Sequence, residues 1–174
     1  GGAGEIDLAK VEEPVNRWIV AEYNEAIAKT TAAIEAYRFN EAADALYSFV
    51  WHSYCDWYVE LIKPQLDDDA TETRATAATI LAGSLRLLHP IMPYLTEELN
   101  EKIFASSDMM ITEAWPYAVA LPQTDSPKEI GFLINLISDI RYIRAEMNVP
   151  LSAKPVLQLR GASELQTRSV EVNE

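Results

Sequence analysis

Apolar residues recur at steps of three and four along most of the chain, which is the spacing of amphipathic helices. The first such stretch runs from Val15 to Tyr37, and Pro14 before it suits the first turn of a helix. The second runs from Asn40 to Lys63 and is apolar around more than half of its circumference. Because Pro64 cannot continue a helix, it should end this one. Such a widely apolar helix is typical of the centre of a bundle.

The two stretches are separated by a tight turn at Tyr37–Asn40, with Asn40 predicted as the N-cap of the second helix. The second helix is rich in aromatic residues. The side chains of Trp51, Trp57 and Tyr58 are expected in the core rather than on a surface that binds RNA, because aromatic rings supply much of the apolar area that a core buries.

The rest of the chain alternates between helical spacing and irregular, proline-rich connections. Pro90 and Pro93 interrupt one apolar run, and the tail contains a shorter run typical of a strand. The predicted order is helix Thr71–His89, helix Tyr94–Phe104, irregular connection Ala105–Pro127, helix Lys128–Met147 and strand Pro155–Arg160.

These elements predict an all-α fold, an antiparallel helix bundle, with a short truncated α+β tail. A lone strand is not stable by itself, so the predicted strand indicates the beginning of another module. We therefore expect a disordered or extraneous leader over residues 1–12 and a helical bundle over residues 13–127. Residues 128–174 would contain the fifth helix and the truncated start of a C-terminal module.

Composition narrows the classes of protein to which the chain can belong. Of its 174 residues 49% are hydrophobic, which is enough for a sizeable core. The net charge of −13 argues against a broad basic face that coats nucleic acid, but it is compatible with a local basic patch. Cys55 is the only cysteine, which excludes a disulfide framework. No stretch reaches the roughly 20 apolar residues of a membrane span, so we expect a cytoplasmic protein without a membrane partner.

No group of residues predicts an independent active site. The two histidines, His52 and His89, have no nucleophilic partner that spacing would suggest. His52 and Asp56 could form one side of a metal site, but a hydrogen bond on the helix surface is the simpler interpretation. P-loop and dinucleotide-binding motifs do not occur in the sequence. We therefore expect no catalytic, cofactor-binding or metal-binding residue.

A candidate RNA-binding end follows from the topology. Short turns make consecutive helices antiparallel, which places the Tyr37–Asn40 turn and the Arg86–Pro93 corner at the same end of the bundle. The helix over Lys128–Met147 could bring two more arginines there if it runs back. Proteins bind single-stranded loops by stacking bases on aromatic rings and by guanidinium contacts. The candidate tRNA-binding residues are Arg38, Phe39, Asn40, Arg86, His89, Arg141 and Arg144.

For some of these residues a structural role is an open alternative. Phe39 could be a hydrophobic staple of the second helix. Arg86 lies on an apolar helix, where an arginine often extends along the surface or pairs with a glutamate. Arg38 lies in the turn itself and is the strongest single candidate for a contact with RNA.

Several strings of residues resemble one known family. RFNEAADALYSFVWHSYCDWYVELIKP, over Arg38–Pro64, is similar to the signature region of the anticodon-binding domain of valyl-tRNA synthetases. LLHPIMPYLTEEL (Leu87–Leu99), ITEAWP (Ile111–Pro116) and IRAEMNVP (Ile143–Pro150) occur in the order found in that family. The resemblance covers roughly residues 14–160, most of the chain. Leucyl-, isoleucyl- and methionyl-tRNA synthetases share the helical architecture, whereas the Cys-Asp-Trp-Tyr string points to the valine enzymes.

The resemblance implies a bundle of the class I synthetase anticodon-binding type that recognises the anticodon stem-loop of tRNA(Val). The parent enzyme would use ATP and Mg²⁺, and a catalytic domain of the same parent chain would aminoacylate the tRNA. The His-Ile-Gly-His and Lys-Met-Ser-Lys-Ser motifs of such catalytic domains do not occur here, so this chain is not expected to catalyse alone. The expected nucleic-acid partner is tRNA, and DNA is not expected as a partner. Asn100 stands where the family usually has tryptophan, which puts an aromatic packing role there in doubt.

Two alternative functions remain open at this point. The chain could be a structural helical module whose exposed end binds a protein helix. It could also be the anticodon domain of a leucyl-, isoleucyl- or methionyl-type synthetase.

Overall fold

The computed structural model of the protein describes residues 6–66, 70–106, 108–150, 152–154 and 156. These residues form helices and irregular connections without a strand, so the predicted all-α fold is confirmed. The predicted strand Pro155–Arg160 falls almost entirely outside the described residues, and an α+β tail is not shown. The helices are α1 (Pro14–Glu35), α2 (Phe39–Tyr47), α3 (Val59–Ile62), α4 (Thr71–Leu88), α5 (Pro93–Phe104) and α6 (Ser126–Glu146). A π-helical segment (Ser48–Tyr58) joins α2 to α3, and 3-10 turns lie at Leu8–Lys10, Lys63–Gln65 and Met110–Thr112.

Helix α1 packs antiparallel against the continuous rod formed by α2, the π-helical segment and α3. Ser53 near the middle of the rod donates a hydrogen bond to Glu22 at 2.9 Å. Further down, the buried hydroxyl of Tyr58 donates to the side-chain oxygen of Asn16 at 2.8 Å. The apolar stripe predicted for α1 is buried, as shown by Ile19, whose side chain is inaccessible to solvent. This hairpin is the main source of the core.

The rod differs from the continuous α-helix that the sequence predicts. Its π-helical segment pairs residues five apart, which rotates the side chains relative to an α-helical register. As a result Phe49 is buried, whereas Trp51 is 54% exposed. The prediction that Trp51 lies in the core is therefore wrong. Tyr58 is buried as predicted, and Trp57 is half-buried.

The prediction that Asn40 caps the second helix is also wrong. Helix α2 already begins at Phe39, and Arg38 occupies the N-cap position. The reason lies in Tyr37, whose left-handed backbone turns the chain sharply enough for a new helix to begin two residues later.

Helix α4 runs in the same direction as α1. Its first turn lies beside the start of α1, where the carboxylate of Glu72 accepts a hydrogen bond from the backbone N–H of Glu13 at 3.0 Å. Further along α4, Gly83 meets Tyr23 of α1 so closely that a Cβ at this glycine would lie 1.8 Å from the tyrosine hydroxyl. Because both helices run away from this shared start, the carboxyl ends of α1 and α4 point to the same end of the bundle.

The chain divides into two compact units, Gly1–Gln123 and Thr124–Glu174. Helices α1 to α5 belong to the first unit and α6 to the second. Among the described residues, every buried hydrophobic side chain lies in the first unit. None of the helices in the described ranges combines the length and the apolar character needed to cross a bilayer.

Residues 6–12 differ from the disordered leader that the sequence predicts. They contain a 3-10 turn whose N-cap, Asp7, accepts a hydrogen bond from the backbone N–H of Ala9 at 3.1 Å. The side chains of Leu8 and Val11 are buried. Two isolated apolar residues show no periodicity in the sequence, which is why their burial was not predicted.

Candidate nucleic-acid interface

The turn between α1 and α2 is built around one residue with a left-handed backbone. Tyr37 has a φ of 57°. The backbone N–H groups of Tyr37 and Arg38 donate to the carbonyl oxygens of Ile34 and Ala33, at 2.9 and 2.8 Å. This pair of hydrogen bonds is a Schellman motif, in which glycine usually occupies the left-handed position. A tyrosine there costs about 1–2 kcal/mol, because its Cβ crowds the backbone.

Two aromatic rings and one guanidinium group are exposed at this turn. The side chains of Tyr37 and Phe39 are 82% and 58% exposed, and their rings meet edge to face with centroids 6.4 Å apart. Nη1 of Arg38 donates to the carboxylate of Glu41, at 3.2 Å from Oε1 and 3.1 Å from Oε2. Because this ion pair is half exposed, it is weak and can exchange for a ligand. Asn40 is exposed beside them.

A cavity of about 520 Å³ opens between α1 and α2 next to the turn. Charged and hydroxyl groups at its rim come from Lys29, Arg38, Glu41, Asp44 and Ser48, and the remaining lining consists of alanines. Cavities of this size are in the range in which proteins bind small ligands. The turn therefore combines exposed rings with a recess large enough for one base.

Arg86 has the structural role that the sequence left open. Its Nε donates to the carboxylate of Glu113, far away in the chain. Arg86 also lines a second cavity of about 490 Å³, together with Tyr23 and Trp115. Burial raises the pKa of Tyr23 to about 12, although the nearby charge of Arg86 opposes this rise. This ion pair holds the segment that follows α5 against α4.

His89 is held inside the corner between α4 and α5. Its Nδ1 lies 2.8 Å from the hydroxyl of Thr96, and its Nε2 lies 4.0 Å from the carboxylate of Glu97. The side chain is only 13% exposed. Glu97 in turn accepts a hydrogen bond from the backbone N–H of Met110 at 2.9 Å. These contacts hold the corner between α4 and α5 together, and little of the imidazole of His89 is accessible to solvent.

Arg141 and Arg144 lie on α6 in the second unit. Nη2 of Arg144 donates to the carbonyl oxygens of Pro150 and Ala153, at 2.8 and 3.3 Å. Arg144 therefore closes the turn that follows α6. Arg141 is exposed on the surface of the same helix.

Three residues of the turn region were not among the sequence candidates. The sequence predicts Tyr37 only as the last apolar residue of the first helix, although it stands directly before Arg38 and Phe39. Glu41 and Lys29 were missed because nothing in a linear pattern shows that they share a cavity. His52 and Asp56, by contrast, form the expected surface pair at 3.5 Å. Among the described residues, no group of three or more potential ligands forms a metal site.

The chain is similar in sequence to one family of domains and to several curated proteins. Residues 16–160 match the family described as the anticodon-binding domain of tRNA ligase. The chain is 50% identical to the valine–tRNA ligase of Caulobacter vibrioides over 166 residues, which is 90% of this chain and 18% of that protein. It is 44% identical to that of Rhizobium meliloti over 165 residues, 90% of this chain and 17% of that protein. For Bradyrhizobium diazoefficiens the identity is 42% over 196 residues, 91% of this chain and 20% of that protein. The chain spans a fifth or less of the length of these relatives.

Proposed function

Because the chain belongs to the family of anticodon-binding domains of tRNA ligases, we propose that it binds the anticodon stem-loop of tRNA(Val) through the turn Tyr37–Asn40. The observation that carries this proposal is the exposure of Tyr37 and Phe39 on either side of Arg38. Unpaired bases stack on aromatic rings and on guanidinium planes, and three consecutive residues supply both here. One stacked base would contribute about 1–3 kcal/mol to binding.

The other candidate residues have a secondary place in this proposal. Arg86, His89 and Arg144 already have partners within their own unit. A contact from any of them to RNA would have to compete with those partners. Arg141 is exposed on α6 in the second unit, and an arginine on a helix surface suits phosphate contacts.

We further propose that the chain acts within a cytoplasmic valine–tRNA ligase. Identities of 42–50% to valine–tRNA ligases over about nine-tenths of the chain support this. The catalytic domain of the same parent chain would use ATP and Mg²⁺. The role of this domain is to hold the anticodon, so that the distant acceptor end of the tRNA reaches the active site. It contributes no group to the chemistry.

A charge reversal at the turn tests the proposal. We expect Arg38→Glu to weaken binding of a valine anticodon hairpin at least about tenfold, because one guanidinium contact is lost and a repulsive carboxylate is added. The control is Lys63→Glu, which changes the net charge equally. Lys63 also pairs with a carboxylate three residues away, Glu60, but it lies at the opposite end of the rod. Both variants should unfold at the same denaturant concentration as the wild type, since exposed ion pairs contribute little stability.

The measurement is a fluorescence-anisotropy titration of the 174-residue chain with a labelled hairpin. A hairpin with all three anticodon bases replaced serves as the second control. Equal affinity of the wild type for both hairpins would contradict anticodon recognition. Equal loss of affinity in both variants would show a general effect of charge and would remove the turn from the proposal.

A second candidate function is contact with another protein surface. The observation in its favour is the exposed pair of Tyr47 and Trp51, whose rings are stacked with centroids 6.2 Å apart. Exposed aromatic side chains are enriched at protein interfaces. The same titration separates the two functions, because a chain that only binds protein would not distinguish the hairpins.

A further inference from the structure

Residues 114–119, in the irregular connection after α5, are held against α1. Asn24 of α1 exchanges two hydrogen bonds with the backbone of Val119, at 2.8 and 2.9 Å. Nε1 of Trp115 donates to the hydroxyl of Thr31, on the same helix, at 2.9 Å. Hydrogen bonds near both ends give this stretch one defined position, although it contains no helix or strand. The cavity of about 490 Å³ is lined by this stretch, by α1 and α4 and by residues 6–8, all within the first unit.

Helix α4 turns one face to this cavity. Thr79, Gly83 and Arg86 line it, and their spacing of four and three residues places them on the same side of the helix. The hydroxyl of Tyr23 occupies the space where any other residue than glycine at position 83 would have its Cβ. The wall of the cavity therefore brings the Tyr23 hydroxyl together with the hydroxyl of Thr79 and the guanidinium group of Arg86.

The Tyr23 hydroxyl has no hydrogen-bond partner among the residues that the structure describes, although the side chain is only 5% exposed. Buried hydroxyls nearly always have one. The neighbouring Tyr54 and Tyr58 follow this rule, donating to the carbonyl oxygen of Ala77 at 2.9 Å and to Asn16 at 2.8 Å. Burial raises the pKa of Tyr23 to about 12, so the hydroxyl keeps its proton at neutral pH. The cavity thus contains a buried donor that is available to a ligand.

The groups around this donor indicate the chemistry of the ligand. Hydroxyl and guanidinium donors together complement an anionic oxygen. Because Glu113 already offsets part of the charge of Arg86, a single negative charge suits the site better than a phosphate dianion. Trp115 and Tyr117 add aromatic surface to the opposite wall, which suits a flat apolar body.

We propose that this cavity binds a small aromatic carboxylic acid, with its carboxylate on Tyr23 and Arg86 and its ring against Trp115 and Tyr117. The volume is in the range of small-ligand sites. The inference does not depend on the proposed binding of RNA, because no residue of the turn Tyr37–Asn40 lines this cavity.

The test compares three probes of similar shape and different charge on the 174-residue chain. Cinnamate is an aromatic carboxylate, cinnamamide is its neutral isostere, and cinnamylamine is a cation at neutral pH. We expect cinnamate to bind with a Kd in the low millimolar range or below, and cinnamamide to bind about tenfold more weakly. Cinnamylamine should bind most weakly. The net charge of −13 favours the opposite order, so this order distinguishes the site from general attraction.

A ligand-detected NMR titration measures the three affinities. Protein-detected spectra locate the site in the same samples. The indole N–H resonance of Trp115 should shift as cinnamate is added, because Trp115 lines the cavity. That of Trp51, which is exposed on the rod, should not shift.

Tyr23→Phe removes the proposed donor and nothing else. It should weaken cinnamate binding about tenfold, because one hydrogen bond to a charged group is lost. It should unfold at the same urea concentration as the wild type or at a higher one, since the hydroxyl loses no partner. The matched control, Tyr54→Phe, should behave in the opposite way. It loses the bond to Ala77 and should unfold at a lower urea concentration, but it should bind cinnamate like the wild type.

Glu113→Gln tests the share that Arg86 has in binding. The glutamine amide can still accept the hydrogen bond from Arg86, but it no longer repels a carboxylate or competes for the full charge. Affinity for cinnamate should therefore rise about threefold. The control is Glu25→Gln, which makes the same change of charge on α1, away from the cavity, where Glu25 pairs with Lys29 at 2.6 Å. This variant should bind cinnamate like the wild type.

Four results would overturn the inference. They are binding of cinnamylamine as tight as that of cinnamate, wild-type affinity in Tyr23→Phe, an equal loss of affinity in Tyr54→Phe, and weaker binding in Glu113→Gln. The last of these would show that Glu113 only holds the segment after α5 in place. None of the four affects the proposed binding of RNA, which is measured with hairpins at the turn.

Discussion

Tyr37 occupies a position where the backbone of the fold favours glycine. Its φ of 57° ends α1, and its ring is more exposed than that of Phe39 beside it. An exposed ring gains little stability from packing, so the ring of Tyr37 offsets little of the backbone cost. Strain of this kind is typical of residues that serve binding. At the residue scale, this tyrosine and the half-exposed Arg38 are what distinguish the turn from an ordinary helix–helix connection.

The strain at Tyr37 leads to a prediction with opposite effects on stability and binding. Tyr37→Gly should raise the free energy of unfolding by about 0.5–1 kcal/mol, because glycine accepts the left-handed backbone without the Cβ clash. It should also weaken hairpin binding about fivefold or more, because one stacking surface is lost. Urea unfolding and the anisotropy titration measure the two effects.

Tyr37→Ala is the matched control for this pair of effects. Alanine removes the ring but keeps the Cβ, so binding should fall without a gain in stability. A glycine variant that binds the hairpin as well as the wild type would remove Tyr37 from the interface.

At the scale of elements, one carboxylate joins the first turns of α1 and α4. Glu72 accepts hydrogen bonds from the backbone N–H groups of Glu12 and Glu13, at 3.1 and 3.0 Å, and from the side chain of Asn16 at 2.8 Å. N–H groups at the start of a helix have no partner within it, so Glu72 satisfies groups that α1 cannot. Burial by itself would raise the pKa of Glu72, but the hydrogen bonds from Asn16, Glu13 and Glu12 outweigh burial and lower the pKa.

This lowered pKa predicts a loss of stability in acid. A carboxyl whose pKa is lower in the folded than in the unfolded state stabilises the fold above the unfolded value, about 4.5 for glutamate. That contribution disappears as the pH falls through the lower, folded value. Glu72→Gln should therefore cost about 1–3 kcal/mol at pH 7, and its difference from the wild type should shrink progressively as the pH falls below 4.5. Urea unfolding at a series of pH values measures this difference.

The control for the acid prediction is Glu98→Gln. The pKa of Glu98 is also lowered, first by its hydrogen bond with Lys102, but both side chains of this pair are more than half exposed to solvent. Solvent screens such pairs, so the variant should unfold almost like the wild type at every pH. A constant difference between Glu72→Gln and the wild type across the pH range would contradict the role given to ionised Glu72.

At the scale of the whole molecule, the core and the charge are distributed unevenly. Every buried hydrophobic side chain of the described residues lies between Leu8 and Met110, within the first unit. Helix α6 exposes Tyr142, Ile143 and Met147. The net charge of −13 repels RNA from most of the surface, so only a local site can bind it.

This distribution predicts that the first unit folds without the second. A chain ending at Gln123 should unfold in one cooperative transition, with a free energy within about 1 kcal/mol of that of the full chain, because it keeps its entire core. Urea unfolding followed by circular dichroism and by tryptophan fluorescence provides the measurement. Loss of the cooperative transition, or different midpoints from the two probes, would contradict it.

The sequence determined the helices and the family. Periodic apolar residues placed α1, α4, α5 and α6 within a few residues of their observed bounds, because the spacing of three and four residues depends on local chain geometry alone. The strings around Arg38–Pro64 indicated the anticodon-binding family for the same reason, since a family resemblance is a property of the order of residues. The break between the first two apolar stretches predicted the turn at Tyr37–Asn40.

The tertiary structure decided which side chains are buried and which are accessible. The π-helical segment buries Phe49 and exposes Trp51, because a change of helical register depends on what packs against the helix. Glu113 forms an ion pair with Arg86, 27 positions away in the sequence. Of the two candidate arginines in the first unit, Arg38 is therefore the more accessible one. The cavity beside Glu41 forms where α1 and α2 pack together. The spacing of residues along the sequence does not show which residues line such a cavity.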